Sequence, residues 1–310
     1  MQISSLYTGQ WLRTAFLVSG LLGFSAGHPI QIKATKMMRH HRHSPMLLHG
    51  ERDATTSESY NWSGYAVTGP NGSVSLVLSS WVVPSVGTCS AVPEGYAAFW
   101  TGIDGWSSTT VEQIGTDSDC VNLTGTKTGA PTYYAWFEFY PQNAYLIGNY
   151  SSAGTCISGC VSPGDKMVAE VVAGSAGTAG GTHGPGGPSF AVIIFDLTKG
   201  WEFSTSSSVP SAKQSSAEWI AETPYGCATS SGFCPLSDFG TADYGLQYTG
   251  ENETAYATVS GTTQPIGSFG SSVHNAIMVN YPNGTTVMAE PSALTDNGTS
   301  FSDTWSNAGP

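Results

Sequence analysis

No stretch of this 310-residue chain holds a 3.6-residue apolar period long enough for a helix, and that limits its fold more than any other feature. Short runs with strand character recur instead, bounded by turn residues, with 38 glycines among the punctuation. They fall at 62–68, 73–83, 96–103, 109–114, 132–140, 166–173, 190–197, 200–205, 215–222, 255–260, 275–281 and 285–290. Asn283-Gly284, between the last two runs, is the strongest hairpin turn in the chain. The segment 174–188 reads as a Gly-rich loop, and there is no internal repeat. Many short strands joined by such turns predict an all-β fold, a sandwich or a jelly roll.

Charge divides the chain near residue 59. Residues 1–59 hold six Lys and Arg against three Asp and Glu, a formal +3, and five of the seven His. Residues 60–310 hold four Lys and no Arg against nineteen Asp and Glu, a formal −15, with His183 and His274 the remaining His. A basic leader before an acidic body predicts a secreted protein with a removable prosegment. Arg13 precedes an apolar run at 15–24, and Ser25-Ala26-Gly27 supplies small residues for cleavage. Residues 1–27 thus read as a secretory signal, shorter than the ~18 apolar residues that a membrane span needs. Residues 28–59 read as a basic prosegment and processing linker, and 60–310 as one catalytic or binding domain. The expected protein is extracellular, monomeric and not held in a membrane. An Arg-free acidic body would be repelled by phosphate, which excludes nucleic acid as a partner.

Six Cys remain in the exported part, an even number that predicts three disulfides. Local pairing is the economical arrangement: Cys89–Cys120, Cys156–Cys160 and Cys227–Cys234. No His lies near Cys156 and Cys160, so no metal is expected, and no cofactor either. Asn-x-Ser/Thr sequons begin at Asn61, Asn71, Asn122, Asn149, Asn252, Asn283 and Asn297.

With two His in the body, neither in a nucleophile motif, and all Cys paired, the available chemistry belongs to carboxylates, amides, Tyr and Trp. Strand alternation groups them. Trp100, Gly102 and Asp104 project one way, as do Val111, Gln113 and Asp117. Tyr134, Trp136, Glu138 and Tyr140 lie opposite Ala135, Phe137 and Phe139. Ser216, Glu218, Ile220 and Glu222 share a face. Several strands therefore place a polar group among aromatics, the pattern of a cleft on a concave sheet. Lone strand carboxylates ordinarily face solvent, and Glu112, Asp119 and Glu222 are read that way. Asp104 and Asp117, near glycines, also suit turns.

At these residues the chain resembles the eqolisins, the glutamic peptidases known as secreted fungal acid endopeptidases. The resemblance rests on Asn61-Trp-Ser-Gly64, Trp81-Val-Val-Pro84, Trp100-Thr-Gly-Ile-Asp-Gly105, Glu112-Gln-Ile-Gly-Thr-Asp117, Tyr134-Ala-Trp-Phe-Glu-Phe-Tyr-Pro141, Ala217-Glu-Trp-Ile220 and Asp238-Phe-Gly240, in order over roughly 60–290. It implies a β-sandwich of two curved antiparallel sheets, similar to lectin sandwiches, with the active-site cleft on the concave face. It also implies a catalytic Gln and Glu, carried over as Gln113 and Glu218, with Trp62, Trp100, Asp104 and Asp117 lining or supporting the site and Glu138 in a supporting role. Glu218 would activate water and Gln113 would stabilise the oxyanion, at acid pH, on protein and peptide substrates. The basic leader would then be an electrostatic inhibitor of the acidic cleft. A carbohydrate-binding or glycoside-cleaving sandwich shares the Trp-rich face, and would need Glu138 and Glu218 to face each other across the cleft.

Overall fold

The computed structural model of this chain describes residues 30–37, 42–174 and 187–310. The expected signal peptide, part of the leader and most of the 174–188 loop with His183 lie outside the described residues. In chain order the strands are β1 (Ile30–Gln31), β2 (Ala34–Lys36), β3 (Leu48–Glu51), β4 (Thr56–Ser59), β5 (Trp62–Thr68), β6 (Val74–Val82), β7 (Ala98–Ile103), β8 (Val111–Val121), β9 (Lys127–Tyr140), β10 (Tyr145–Ile147), β11 (Asn149–Tyr150), β12 (Cys156–Ser158), β13 (Lys166–Ala173), β14 (Ser189–Asp196), β15 (Trp201–Ser208), β16 (Ser216–Glu222), β17 (Thr241–Gly245), β18 (Tyr256–Val259), β19 (Thr262–Pro265), β20 (Val273–Val279), β21 (Val287–Pro291) and β22 (Ser300–Trp305). One four-residue helix, α1 (Leu246–Thr249), follows β17. Among the described residues no helix is long and apolar enough to cross a membrane.

The pairings resolve into two layers joined through β20. One layer runs β4–β20–β5–β16–β7–β8–β9–β10–β2, antiparallel except for the parallel contact of β4 with β20. The other runs from β15 through β14 and β13 to β6, whose far edge pairs with β18 and β17. From β17 the second layer continues through β22 and β21 back to β20. This is the expected all-β sandwich. Alternation decides what lies between the layers. Ala217, Trp219 and Ala221 of β16, Phe99 and Ile103 of β7, and Ala135, Phe137 and Phe139 of β9 enter one core with Met167, Ala169 and Val171 of β13. The same strands turn a second set, including Trp62, Trp100, Tyr134, Trp136 and Ile220, to the opposite face of the first layer. Each strand of that layer therefore has one face committed to the core and one available for a site. Gly64, with φ of 134°, lets β5 and β16 approach where an added Cβ would sit 2.1 Å from the Trp219 carbonyl oxygen.

The β20–β21 hairpin forms around Asn283-Gly284, where Gly284 adopts φ of 61°. Cys89–Cys120, Cys156–Cys160 and Cys227–Cys234 form the three disulfides in the expected pairing. Strands β8 and β9 extend well beyond 109–114 and 132–140, and β17 and β22 lie outside every expected run. The last two read Thr-Ala-Asp-Tyr-Gly and Ser-Phe-Ser-Asp-Thr-Trp; their polar residues mask the period-2 signal, and mutual pairing makes them strands.

The leader is woven into the sandwich. Strand β1 adds in parallel to β15, β2 closes the edge of the first layer on β10, and the β3–β4 hairpin docks beside β20. The sheet has no break at residue 59.

Candidate active site

The outward face of β16, β7, β8 and β9 carries the polar groups that alternation grouped. One row across these strands holds Glu218, Gly102, Gln113 and Glu138; another, two residues along, holds Ile220, Trp100, Gly115 and Trp136; a third holds Glu222, Ala98, Asp117 and Tyr134. Gly102 keeps the floor low, since a Cβ there would meet Trp100 at 3.0 Å and Gln113 at 3.2 Å. Among the described residues no group of three His, Cys, Asp or Glu side chains could hold a metal ion.

Two carboxylate groups emerge on this face. The first surrounds Glu222. Trp100 Nε1 donates to Glu222 Oε2 at 2.9 Å, and the Trp62 ring packs edge-on against Trp100. Gln113 Nε2 donates to Glu138 Oε2 at 3.2 Å. The Tyr134 hydroxyl lies within hydrogen-bond reach of both Asp117 and Asp119. Burial, then the charge of Glu222, pushes Glu138 well above the usual carboxylate range. Burial raises Glu222 likewise, against hydrogen bonds from Ser44, Trp100, Asn61 and Trp62 that favour its charged form.

Leader residues 42–47 cover this group. The His43 ring stacks on Trp136 with centroids 3.6 Å apart and planes 8° from parallel. Its Nδ1 lies 3.5 Å from Glu222 Oε2 and its Nε2 3.8 Å from Asp117 Oδ1. The Ser44 amide donates to Glu222 Oε1 at 2.9 Å. The Ser44 carbonyl accepts from Trp62 Nε1 at 3.0 Å, and Asn61 Nδ2 reaches the Ser44 hydroxyl and the Pro45 carbonyl, each at 3.2 Å.

The second group surrounds Glu218. Glu218 is fully buried and raised well above the usual range, by burial first, with Ser216 hydrogen bonding opposing and the charges of Asp104 and Glu112 adding to the rise. A backbone bond from Trp106 of the 104–110 turn also reaches it. Glu112 is buried and raised in the same way, burial first and Asp104 second. Asp104, at φ of 72°, accepts the backbone N–H groups of Lys213 and Gln214 at 2.6 and 2.7 Å and of Ser215 at 2.9 Å. It fastens the 213–215 turn to the end of β7.

By register Glu218, Gln113 and Glu138 share one row and Asp117 stands in the row of Glu222; by side-chain interaction Glu138, Gln113 and Asp117 gather with Glu222, while Asp104 and Glu112 lie near Glu218. Glu112, Asp119 and Glu222, read from sequence as solvent-facing, are all fully buried. A strand period assigns a face and says nothing of what covers it; here the leader covers Glu222 and the body covers Glu112. Sequence reasoning places the basic leader over the acidic cleft but singles out neither His43 nor Ser44 within it. The density of His in the leader was the one available signal. Of the two body His, His274 bonds Thr68 at 3.1 Å and packs near Trp106, away from the Glu222 group.

Residues 60–264 match the profile of the Peptidase A4 family. Aspergillopepsin-2 of Aspergillus niger is 27% identical over 206 residues, which span 58% of this chain and 66% of that protein. Among solved structures, scytalido-glutamic peptidase with a peptide-based transition state analog superposes with a TM-score of 0.55 at 22% identity, over 80% of this chain and 98% of that one. SCP-B, a member of the eqolisin family bound to the tripeptide Ala-Ile-His, gives a TM-score of 0.53 at 22% identity, with the same coverage. These two neighbours share the β-sandwich. The order of the sequence blocks, the sandwich and the profile match over most of the body agree: the chain belongs to the Peptidase A4 family, the eqolisins, a family of glutamic peptidases.

Proposed function

We propose that this chain is the precursor of a secreted acid endopeptidase in which Glu222 is the general base and acid and Gln113 is the amide that orients water and steadies the oxyanion. The observation that carries this reading is a peptide segment already lying on Glu222, with the Ser44 amide 2.9 Å from its carboxylate. Glu218 lies in register with Gln113, one Gly102 away, but the 104–110 turn of the body covers it. Removing the leader would uncover Glu222 and leave Glu218 buried.

Glu222 takes a proton from water as it attacks the scissile carbonyl, then delivers it to the departing amine. The Gln113 amide, anchored by Glu138, donates to the oxygen that becomes negative. An amide does not titrate, so this half of the dyad works at any acidity. Activity falls at very low pH, where Glu222 stays protonated, and falls again as pH rises and Glu138 ionises. The carbohydrate reading needs Glu138 and Glu218 to face each other across the cleft; the register places them at the two ends of one row on a single sheet face, with Gln113 between them.

The leader inhibits the precursor. Both Glu222 oxygens are engaged, Oε1 by Ser44 and Oε2 by Trp100. The charged groups around His43 are Glu222 of β16, Asp117 of β8, Glu138 of β9 and the neighbouring Arg42, whose charge favours ionised Glu138. Near neutral pH the anionic cluster holds the basic segment. In acid the carboxylates take up protons and the attraction fades.

A haemoglobin digest near pH 3, insensitive to pepstatin, tests the activity; no cleavage by the processed protein would end this reading. Inhibition by a 28–59 peptide tests the leader. It should be at least tenfold tighter at pH 6 than at pH 3, about 1.4 kcal/mol, and equal inhibition at both would remove the electrostatic account.

A further inference from the structure

We infer that Asn283 carries an N-linked glycan whose first sugar lies on the ring of Tyr281, which makes the carbohydrate a structural part of the β20–β21 hairpin. The inference rests on the export of the chain and on no assignment within the active site. Of the seven sequons, Asn283-Gly-Thr285 is the one with an aromatic residue two positions ahead of its asparagine. Asn283 is exposed, as are Tyr281 and Thr285, and its side-chain amide makes no hydrogen bond among the described residues. The first sequon is the opposite case. Asn61 is fully buried, with Nδ2 on the Ser44 hydroxyl and the Pro45 carbonyl and Oδ1 accepting the Leu47 amide. A sugar on that nitrogen has no room.

The tip of the hairpin is held in place by the protein alone. The Asn280 amide donates to the Thr286 carbonyl at 2.9 Å, the Thr286 amide to Asn280 Oδ1 at 2.8 Å, and the Gly284 amide to the Asn280 carbonyl at 2.9 Å. The Tyr60 hydroxyl donates to the Pro282 carbonyl at 2.8 Å. The Tyr281 ring is wedged as well. Tyr60 meets it edge-on with centroids 5.1 Å apart, and Phe233 lies tilted at 5.6 Å. Tyr281 is nevertheless 42% exposed, which leaves apolar ring surface in water.

A pyranose presents a face of C–H groups, and an aromatic face carries the partial negative charge that attracts them. Asn283 stands two residues from the ring, within the span of one sugar. Because turn and ring are already held, the contact removes little further conformational freedom. It also withdraws apolar surface from water. The donor is an oligosaccharide carried on a lipid diphosphate and met during export. Asn283 Nδ2 bonds to the anomeric carbon as that carbon's bond to the diphosphate oxygen breaks. The amide loses one proton to solvent, and the lipid diphosphate leaves.

The test uses the full-length chain, exported from a host that attaches N-glycans. Enzymatic deglycosylation in heavy-oxygen water converts each glycosylated asparagine to a labelled aspartate. Peptide mapping should find that label at Asn283 and not at Asn61. Asn283→Gln and Thr285→Ala should each remove one glycan and lower Tm by about 2–4 °C, with haemoglobin cleavage unchanged. Tyr281→Ala should cost about 2–4 °C more in the glycosylated protein than in the Asn283→Gln background. A ring that serves only to pack on Tyr60 and Phe233 would cost the same in both. That equal cost would overturn the inference, as would an unlabelled Asn283 in exported protein. A labelled protein that cleaves nothing in acid would end the proposed activity and leave the glycan standing. A chain retained inside the cell would remove both the export reading and this inference.

Discussion

Glu222 and Glu218 lie four residues apart on one strand and one face, both fully buried and both shifted upward by burial. Their surroundings separate them. Glu222 is covered by a leader segment and receives N–H donors from Ser44 and Trp100. Glu218 is covered by a turn of the body and neighbours two further acids, Asp104 and Glu112. The cross-strand register also separates them: Glu218 stands in the row of Gln113 and Glu138, and Glu222 in that of Asp117 and Tyr134. Of the two, the proposed chemistry belongs to the carboxyl under the removable cover. Burial and shifted titration alone do not distinguish them.

The largest effect should come from exchanging the two. Glu222→Gln should cut turnover of haemoglobin by about a thousandfold or more, while Glu218→Gln should stay within about tenfold of the parent. Comparable losses in kcat would erase the distinction drawn between the two groups. Gln113→Ala, which removes the amide and leaves Glu138 without that donor, should lose roughly a hundredfold to a thousandfold in kcat. An unaffected kcat would show that the amide takes no part in the reaction.

The next effect concerns stability. Burial raises Glu170 to about 8, and burial also raises Asp303 to about 8, opposed by the Ser63 hydrogen bond and assisted by Glu290. The folded protein holds these protons more tightly than the unfolded chain. Their contribution is therefore complete below the ordinary carboxylate range and is lost as pH rises towards 8, at about 1.4 kcal/mol per pH unit for each group. Few charge pairs are at risk in acid: Lys199 with Asp165 and Lys127 with Glu94 are the body pairs among the described residues. Denaturant melts should show greatest stability near pH 4 and steep loss towards pH 8, and Glu170→Gln should flatten that slope. A stability maximum at neutral pH would contradict the assignment. The smallest effect belongs to Asp104→Asn. It weakens the acceptor for three backbone N–H groups and should cost about 1–3 kcal/mol in unfolding free energy, with kcat within a few-fold of the parent.

Much of this molecule is legible in its sequence because the relevant physics is local. Trp62–Thr68 and Lys166–Ala173 fall where alternation puts strands, since apolar and β-branched residues there serve a pleated, half-buried surface. The same alternation separates Tyr134, Trp136 and Glu138 from Ala135, Phe137 and Phe139, and the cysteines pair with their nearest partners in sequence. Period 2 places Glu218 and Glu222 together on one face. It cannot reach beyond the strand to the turn that covers one or the leader that covers the other.

The sequence by itself determined an all-β sandwich, a face rich in Trp and carboxylate, three local disulfides and a basic leader before an acidic body. Each follows from side-chain period, composition or short chain separation. Only the tertiary structure decided which glutamate meets the leader, that Asp104 fastens a turn, and that His43 enters the cleft. Those outcomes depend on contacts such as Ser44 with Glu222, 178 residues apart, where the chain path and the burial of charge, and no local preference, select the partner.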